Sequence, residues 1–394
     1  MKKVLSVALA LALIVVLLAA CNGNDNTSSS PPTTSPSSEA PPSTSSTPPP
    51  ASPPASPPES APVSDTPPAV VETGNELPWN PANIGTHKFI LAHGMPAENV
   101  VSKCYHEFCE YVKELSEGKM VIEEMINGSL LKDTETFDGL RDGMTDFIHS
   151  MGSYVTGTVK DLSPLTIAGY YGGDNWLDFA FGTKDLVSRI YADSGVKYLG
   201  ALYQGTSVIA CSTKQITQPG DVKGVAFRAS GEWVSKTVTA WGGAAQNIAL
   251  PQLADAFQKG TVEGVATGWT IIGGWGIWEV AKYLTTTDIT EGFAALLMNM
   301  GVWDSLNADE QALIAHAGEL FTYKNYELTQ IECQNYYDKV KAEGKNEIYE
   351  LPAADNQTFV DIAYSLYPEM VESGTLGQKG LQLIDMLKQY NGIS

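Results

Sequence analysis

A stretch of roughly 50 residues that cannot build a core decides how this chain is organised. Between residues 22 and 74 the sequence is almost entirely Ser, Pro, Thr and Ala with a few acids. Fifteen of the 23 prolines fall between Pro31 and Pro68, and no aromatic residue interrupts them. Such a segment buries too little apolar surface to offset its ordering entropy, so an extended, partly polyproline-II spacer is expected. At ~3.1 Å per residue it would reach about 150 Å when fully drawn out. The same composition suits a glycosylated stalk.

In front of the spacer stand Lys2 and Lys3, an uncharged run of 17 residues from Val4 to Ala20, and then Leu18-Ala19-Ala20-Cys21. A basic start, a short apolar core and small residues before a cysteine describe a lipoprotein export signal over 1–20, with Cys21 as the acylated sulfur. The run is at the short limit for a membrane span, and no stop-transfer charges follow it. The expected location is therefore extracytoplasmic, lipid-anchored to the outer face of the cell membrane, with residues 21–76 crossing the cell wall.

What remains, 77–394, is a little over 300 residues, more than one ordinary core, and fits two lobes. The first 77 residues hold two basic and six acidic side chains, which leaves −17 of the formal −21 for the folded part. So acidic a body is a poor partner for nucleic acid or anionic lipid, and an anionic ligand would need a local cationic clamp. Cys104 and Cys109 lie five apart on an expected helix, about 140° around its axis, so they cannot bridge each other. With Cys211 and Cys333 isolated, buried thiols are expected.

The hydrophobic pattern alternates strand and helix, an α/β signature. Strands are expected at 88–91, 120–126, 145–149, 224–228, 246–250 and 262–266, and helices at 99–116, 133–141, 230–240 and 251–258, with Ser230 as an N-cap. From Ala308 to Glu343 a single helix is expected, capped by Asn307 with Asp309 and Glu310 in its first turn. At 1.5 Å per residue it spans about 50 Å, enough to run past two lobes as a common spine.

Several stretches, in order, now resemble one family. They are Leu115-Ser116-Glu117-Gly118-Lys119, Asn127-Gly128-Ser129-Leu130, Leu140-Arg141-Asp142-Gly143-Met144-Thr145-Asp146-Phe147, Asp221-Val222-Lys223-Gly224 leading to Arg228, and Ala256-Phe257-Gln258-Lys259-Gly260-Thr261-Val262-Glu263-Gly264. Together with the long helix, they are similar to the solute-binding proteins of tripartite ATP-independent periplasmic (TRAP) transporters, the DctP family. The resemblance covers 85–394. It implies a two-lobed, type II-like periplasmic-binding-protein fold, each lobe a mixed sheet flanked by helices, with the long helix spanning both. The expected lobes are 77–211 plus 293–332 and 212–292 plus 333–394. It also implies a receptor, not an enzyme, that closes over a small organic acid and delivers it to membrane permease subunits.

Arg228 leads the candidate contacts on physical grounds as well. It stands at the C-terminal end of an expected parallel strand, where α/β folds place ligands, and its planar fork can bond a carboxylate twice. An internal salt bridge is the competing reading. The resemblance, in which the matching arginine clamps the ligand carboxylate, favours the ligand. Lys214 matches a second family arginine but lacks the bidentate fork, and a solvated lysine is its competing reading. Thr267 stands where many members carry Asn, Met151 where sugar-acid binders have an acid, and Pro96 where they have a polar residue. These departures point to a less polar ligand. Trp269 follows a strand end and is the tryptophan assigned to the pocket, with Leu250 at the close of its strand; Tyr170 and Tyr171 are weaker wall candidates. His93 lies near the first turn and could touch the ligand, but an exposed or satisfied histidine is the simpler reading.

No catalytic or nucleotide-binding motif is present, and the five histidines show no metal spacing. No cofactor is called for beyond a cation that a ligand could bring. Two rivals remain: the binding lipoprotein of an ATP-driven (ABC) importer, and a cell-surface glycan-binding lipoprotein whose tryptophans stack on sugars.

Overall fold

The structure is a computed structural model that describes residues 77–167, 176–287, 289 and 292–391. Cys21, the spacer, Tyr170 and Tyr171 lie outside the described residues. Eleven strands are described: β1 His87–Ala92, β2 Met120–Met125, β3 Phe147–Met151, β4 Val196–Leu202, β5 Ser207–Cys211, β6 Ala226–Ala229, β7 Ala244–Asn247, β8 Gly264–Gly268, β9 Tyr283–Thr287, β10 Ala294–Asn299 and β11 Glu347–Glu350. They form two mixed sheets, ordered β2-β1-β3-β10-β4 and β11-β9-β5-β8-β6-β7.

The two sheets share one logic. In the first, β1, β2 and β3 are parallel, and β10 arrives from the second half to lie antiparallel between β3 and β4. In the second, β6, β7 and β8 are parallel, and β5 arrives from the first half to lie antiparallel between β8 and β9. Each lobe thus takes its inserted strand from the chain that has just crossed over.

Sequence explains why β5 and β10 sit centrally. Both read as continuous apolar runs rather than alternating ones, the mark of strands buried on both faces. In β10, Ala294, Leu296 and Met298 enter one core while Ala295 and Leu297 enter the other. In β5, Val208 and Ala210 divide from Ile209 and Cys211 in the same way. Two apolar cores therefore flank both sheets and tie the halves together. Each fully buried Leu or Met side chain contributes about 1.5–3 kcal/mol by transfer from water.

The long helix runs unbroken over Ala308–Glu343, with a capping box between Asn307 and Glu310 and Gly344 closing it in a left-handed conformation. It packs on the Val100–Leu115 helix and β4 of the first half and on the Trp269–Gly274 helix of the second, and so spans both lobes. Gly318 lets it approach β4: a Cβ there would sit 2.6 Å from the Leu199 carbonyl oxygen.

Three details differ from the sequence reading. Ser207–Cys211, grouped there with the first lobe, pairs within the second sheet, so the chain crosses between β4 and β5. The C-terminal helix Gln378–Tyr390, grouped with the second lobe, docks on the first: Lys379 donates to the Arg189 carbonyl at 3.1 Å and Tyr390 to that of Asp178 at 3.2 Å. Ser230 does not cap the following helix. Gly231 occupies the N-cap of Glu232–Ala240, and the buried Ser230 hydroxyl has no partner. All four cysteines of the folded part are free and buried.

Candidate functional site

The parallel strands of both sheets point their C-terminal ends at a cavity of about 40 Å³ between the halves. The first half contributes Met95, Val101, Asp133, His149, Met151 and Tyr154, and the second contributes Arg228, Leu250, Thr267, Gly268 and Ile271. Gln204 and Gly292, from the two crossover segments, complete the lining. Gly268 is required at the seam, because a Cβ there would come within 2.3 Å of the Gln204 carbonyl oxygen.

Arg228 is 4 % exposed at the end of β6. Its Nε donates to the Ile248 carbonyl at 3.0 Å, which fixes the plane of the guanidinium beside the cavity. Parallel pairing with β7 sets Arg228 beside Gln246 and positions the Ile248 acceptor just beyond the strand. A cation held this way by a backbone dipole, in a low-dielectric cleft, is a strong anchor for an anion.

The facing wall is titratable. Successive residues of β3 point to opposite faces, so His149 and Met151 share one, and both line the cavity. The ring Nδ1 of His149 lies 3.0 Å from the Tyr105 hydroxyl, and its Nε2 is buried with no partner. Burial pushes His149 down to about 4. His93, at the end of β1, is held by the Met95 N–H donating to its Nδ1 at 3.2 Å. Burial, with His149 nearby, lowers it to about 4 as well, against the pull of Asp133. The Asp133 carboxylate accepts the Gly94 N–H at 2.7 Å and presses so closely that a Cβ on Gly94 would meet it at 2.5 Å. Burial raises its pKa, opposed by Gly94 and His93.

Of the residues expected from sequence, the structure brings Arg228, Thr267, Met151 and Leu250 together around one cavity. It does not bring Lys214, Trp269 or Pro96 there. Lys214 donates to the Lys223 carbonyl at 3.2 Å on the far side of its own loop. Trp269 is buried against Tyr337, edge to face at 5.7 Å, and lines a separate depression with Tyr203 and Cys333. Following a strand end did not aim it inward, because the chain turns there into the Trp269–Gly274 helix. Pro96 opens the turn before the Val100–Leu115 helix, its carbonyl accepting the Asn99 N–H at 3.0 Å, and its neighbour Met95 lines the cavity instead. His93 is not exposed but fully buried, and it is not among the residues that line the cavity.

Asp133, His149, Gln204 and Tyr154 were not singled out from sequence. The alternation of β3 that places Met151 also places His149, and that was the available signal. Asp133 gave none, because acidic residues abound and its role depends on Gly94, 39 positions away. Among the described residues no cluster of ligating side chains could hold a metal ion, and no helix is long and apolar enough to cross a membrane.

Comparison with known proteins shows the family and the fold. Residues 91–373 match the family model described as bacterial extracellular solute-binding protein, family 7 (DctP). The chain is 24 % identical over 313 residues to the C4-dicarboxylate-binding periplasmic protein DctP of Rhodobacter capsulatus, covering 74 % of this chain and 93 % of that one. Among solved structures, the periplasmic ectoine-binding protein of the TeaABC TRAP transporter of Halomonas elongata superposes with a TM-score of 0.71 at 19 % identity, over 77 % of this chain and 98 % of that one. DctP7 of Bordetella pertussis, an extracytoplasmic solute receptor binding pyroglutamic acid, gives a TM-score of 0.69 at 17 % identity, over 77 % and 100 %.

Proposed function

We propose, from the premise that the chain belongs to the DctP family of bacterial extracellular solute-binding proteins, that it is the lipid-anchored receptor of a TRAP transporter. It captures a small organic acid between its lobes and delivers it to the membrane permease. The observation that carries this reading is Arg228, buried at a strand end and lining a cavity to which both sheets contribute. The ligands named for its relatives, a C4-dicarboxylate, ectoine and pyroglutamic acid, all bear a carboxylate.

Closure follows from the topology. Because the lobes are joined by the crossovers near Gln204 and Gly292 and by the long helix, small rotations there open and shut the cavity. A guest bonded to Arg228 on one side and to the β1–β3 wall on the other favours the shut form by its differential contacts.

The test is calorimetry against a panel of small organic acids with wild type and Arg228→Ala. The variant should weaken binding by about 2 kcal/mol or more, the scale for removing one side of a buried charged pair. Unchanged affinity would remove Arg228 from the role. The lipid anchor is tested by Cys21→Ser, which should release the protein from the membrane fraction. The glycan-stacking alternative finds no support in the cavity, which no tryptophan lines among the described residues.

A further inference from the structure

Charge around the cavity is not one-sided. Arg228 supplies a cation, but Asp133 supplies a carboxylate on the facing half, and both line the same space. The groups acting on the Asp133 charge are the Gly94 N–H and His93. The Gly94 bond engages Oδ1, and Asp133 also lines the cavity.

His149 adds a second directed group. Its Nε2 is buried and unpartnered, at 2 % residue exposure, on a ring that lines the cavity. The Tyr105 hydroxyl lies 3.0 Å from Nδ1 but 3.5 Å from its alternative acceptor, the Ala295 carbonyl. If the hydroxyl donates to Nδ1 the ring proton sits on Nε2, and if it donates to the Ala295 carbonyl the proton sits on Nδ1, so Nε2 can meet a ligand acceptor or a ligand donor. The wall facing Arg228 is therefore an acceptor, Asp133, beside an unpartnered ring nitrogen of His149.

We infer that the ligand is a nitrogen-bearing carboxylate, whose acid group meets Arg228 and whose N–H group, neutral or cationic, is taken by Asp133 with His149 bonding an adjacent polar group. This rests on the receptor reading above and narrows it. A simple dicarboxylate would turn its second negative charge toward Asp133, and a like charge there disfavours it. A lactam or amidinium acid would add an N–H bond to Asp133 and give a partner to the buried Nε2, which costs free energy when left without one.

The probes are pyroglutamate, ectoine and succinate, compared by calorimetry on the wild-type protein at neutral pH. The expected result is that pyroglutamate or ectoine binds at least about tenfold more tightly than succinate. Asp133→Asn, which keeps an oxygen for the Gly94 N–H and removes only the charge, should bring the three within about threefold of one another. Succinate binding as well as or better than both nitrogen compounds overturns this inference and leaves the receptor reading standing. A preference that persists in Asp133→Asn removes Asp133 from the selection. Binding of none of the three overturns the inference; the wider panel used for Arg228 then decides the receptor reading by itself. Should Asp133→Asn fail to fold, the wild-type ranking still decides.

Discussion

The two lobes are built on the same strand plan, yet they bring opposite chemistry to the space between them. The second lobe offers one permanent cation, Arg228, fixed by a backbone carbonyl at the end of β6. The first offers groups that titrate: two buried imidazoles held neutral and a carboxylate whose pKa burial raises. An arginine keeps its charge at any relevant pH, whereas burial moves histidines and carboxylates readily. A repeated topology thus sets where a site lies but not what it recognises, because recognition depends on which side chains stand at the strand ends.

The comparison breaks most sharply at Arg228. Arg228→Ala should cost about 2–5 kcal/mol of ligand binding, with a smaller fall in melting temperature because the buried bond to the Ile248 carbonyl is lost as well. A variant that melts early and binds normally would show that the guanidinium serves the fold instead.

The next effect belongs to the first lobe and to pH. His93 and His149 titrate at about 4 when folded against 6.5 when unfolded, so protons bind the unfolded chain first. Stability is then complete above about pH 6.5, is lost as pH falls toward 4, and levels off below that. Each histidine accounts for up to roughly 3 kcal/mol. Exposed His106, raised by Glu124, acts in the opposite sense but is screened by solvent. Urea unfolding from pH 7 to 4 should show the loss, and His149→Gln should reduce it by about half, leaving the part that His93 contributes. A flat profile in wild type would mean that the imidazoles are already reached by water.

At the seam, Gly268→Ala places a methyl group within 2.3 Å of the Gln204 carbonyl and should destabilise by about 1–3 kcal/mol while also weakening closure. Its readout is a lower melting temperature together with a faster ligand off-rate. Last and smallest, Lys214→Ala should change neither affinity nor stability by more than about 0.5 kcal/mol, since its amine meets a surface carbonyl. A large loss of affinity there would restore the second cationic contact that the resemblance implied.

Local pattern carried much of this molecule. The α/β alternation, the capped helix Ala308–Glu343 and Arg228 at a parallel strand end were all readable, because propensity, capping and periodicity act over a few residues. Tertiary structure alone decided the rest. Trp269 and Thr267 are two residues apart, yet one packs on Tyr337 and the other faces the cavity, because a helix begins between them. Ser207–Cys211 joined the second sheet, where β8 and β9 flank it and both of its apolar faces are buried. The acidic wall exists because Gly94 lacks a side chain where Asp133 must fit, a match between distant positions that no local pattern encodes.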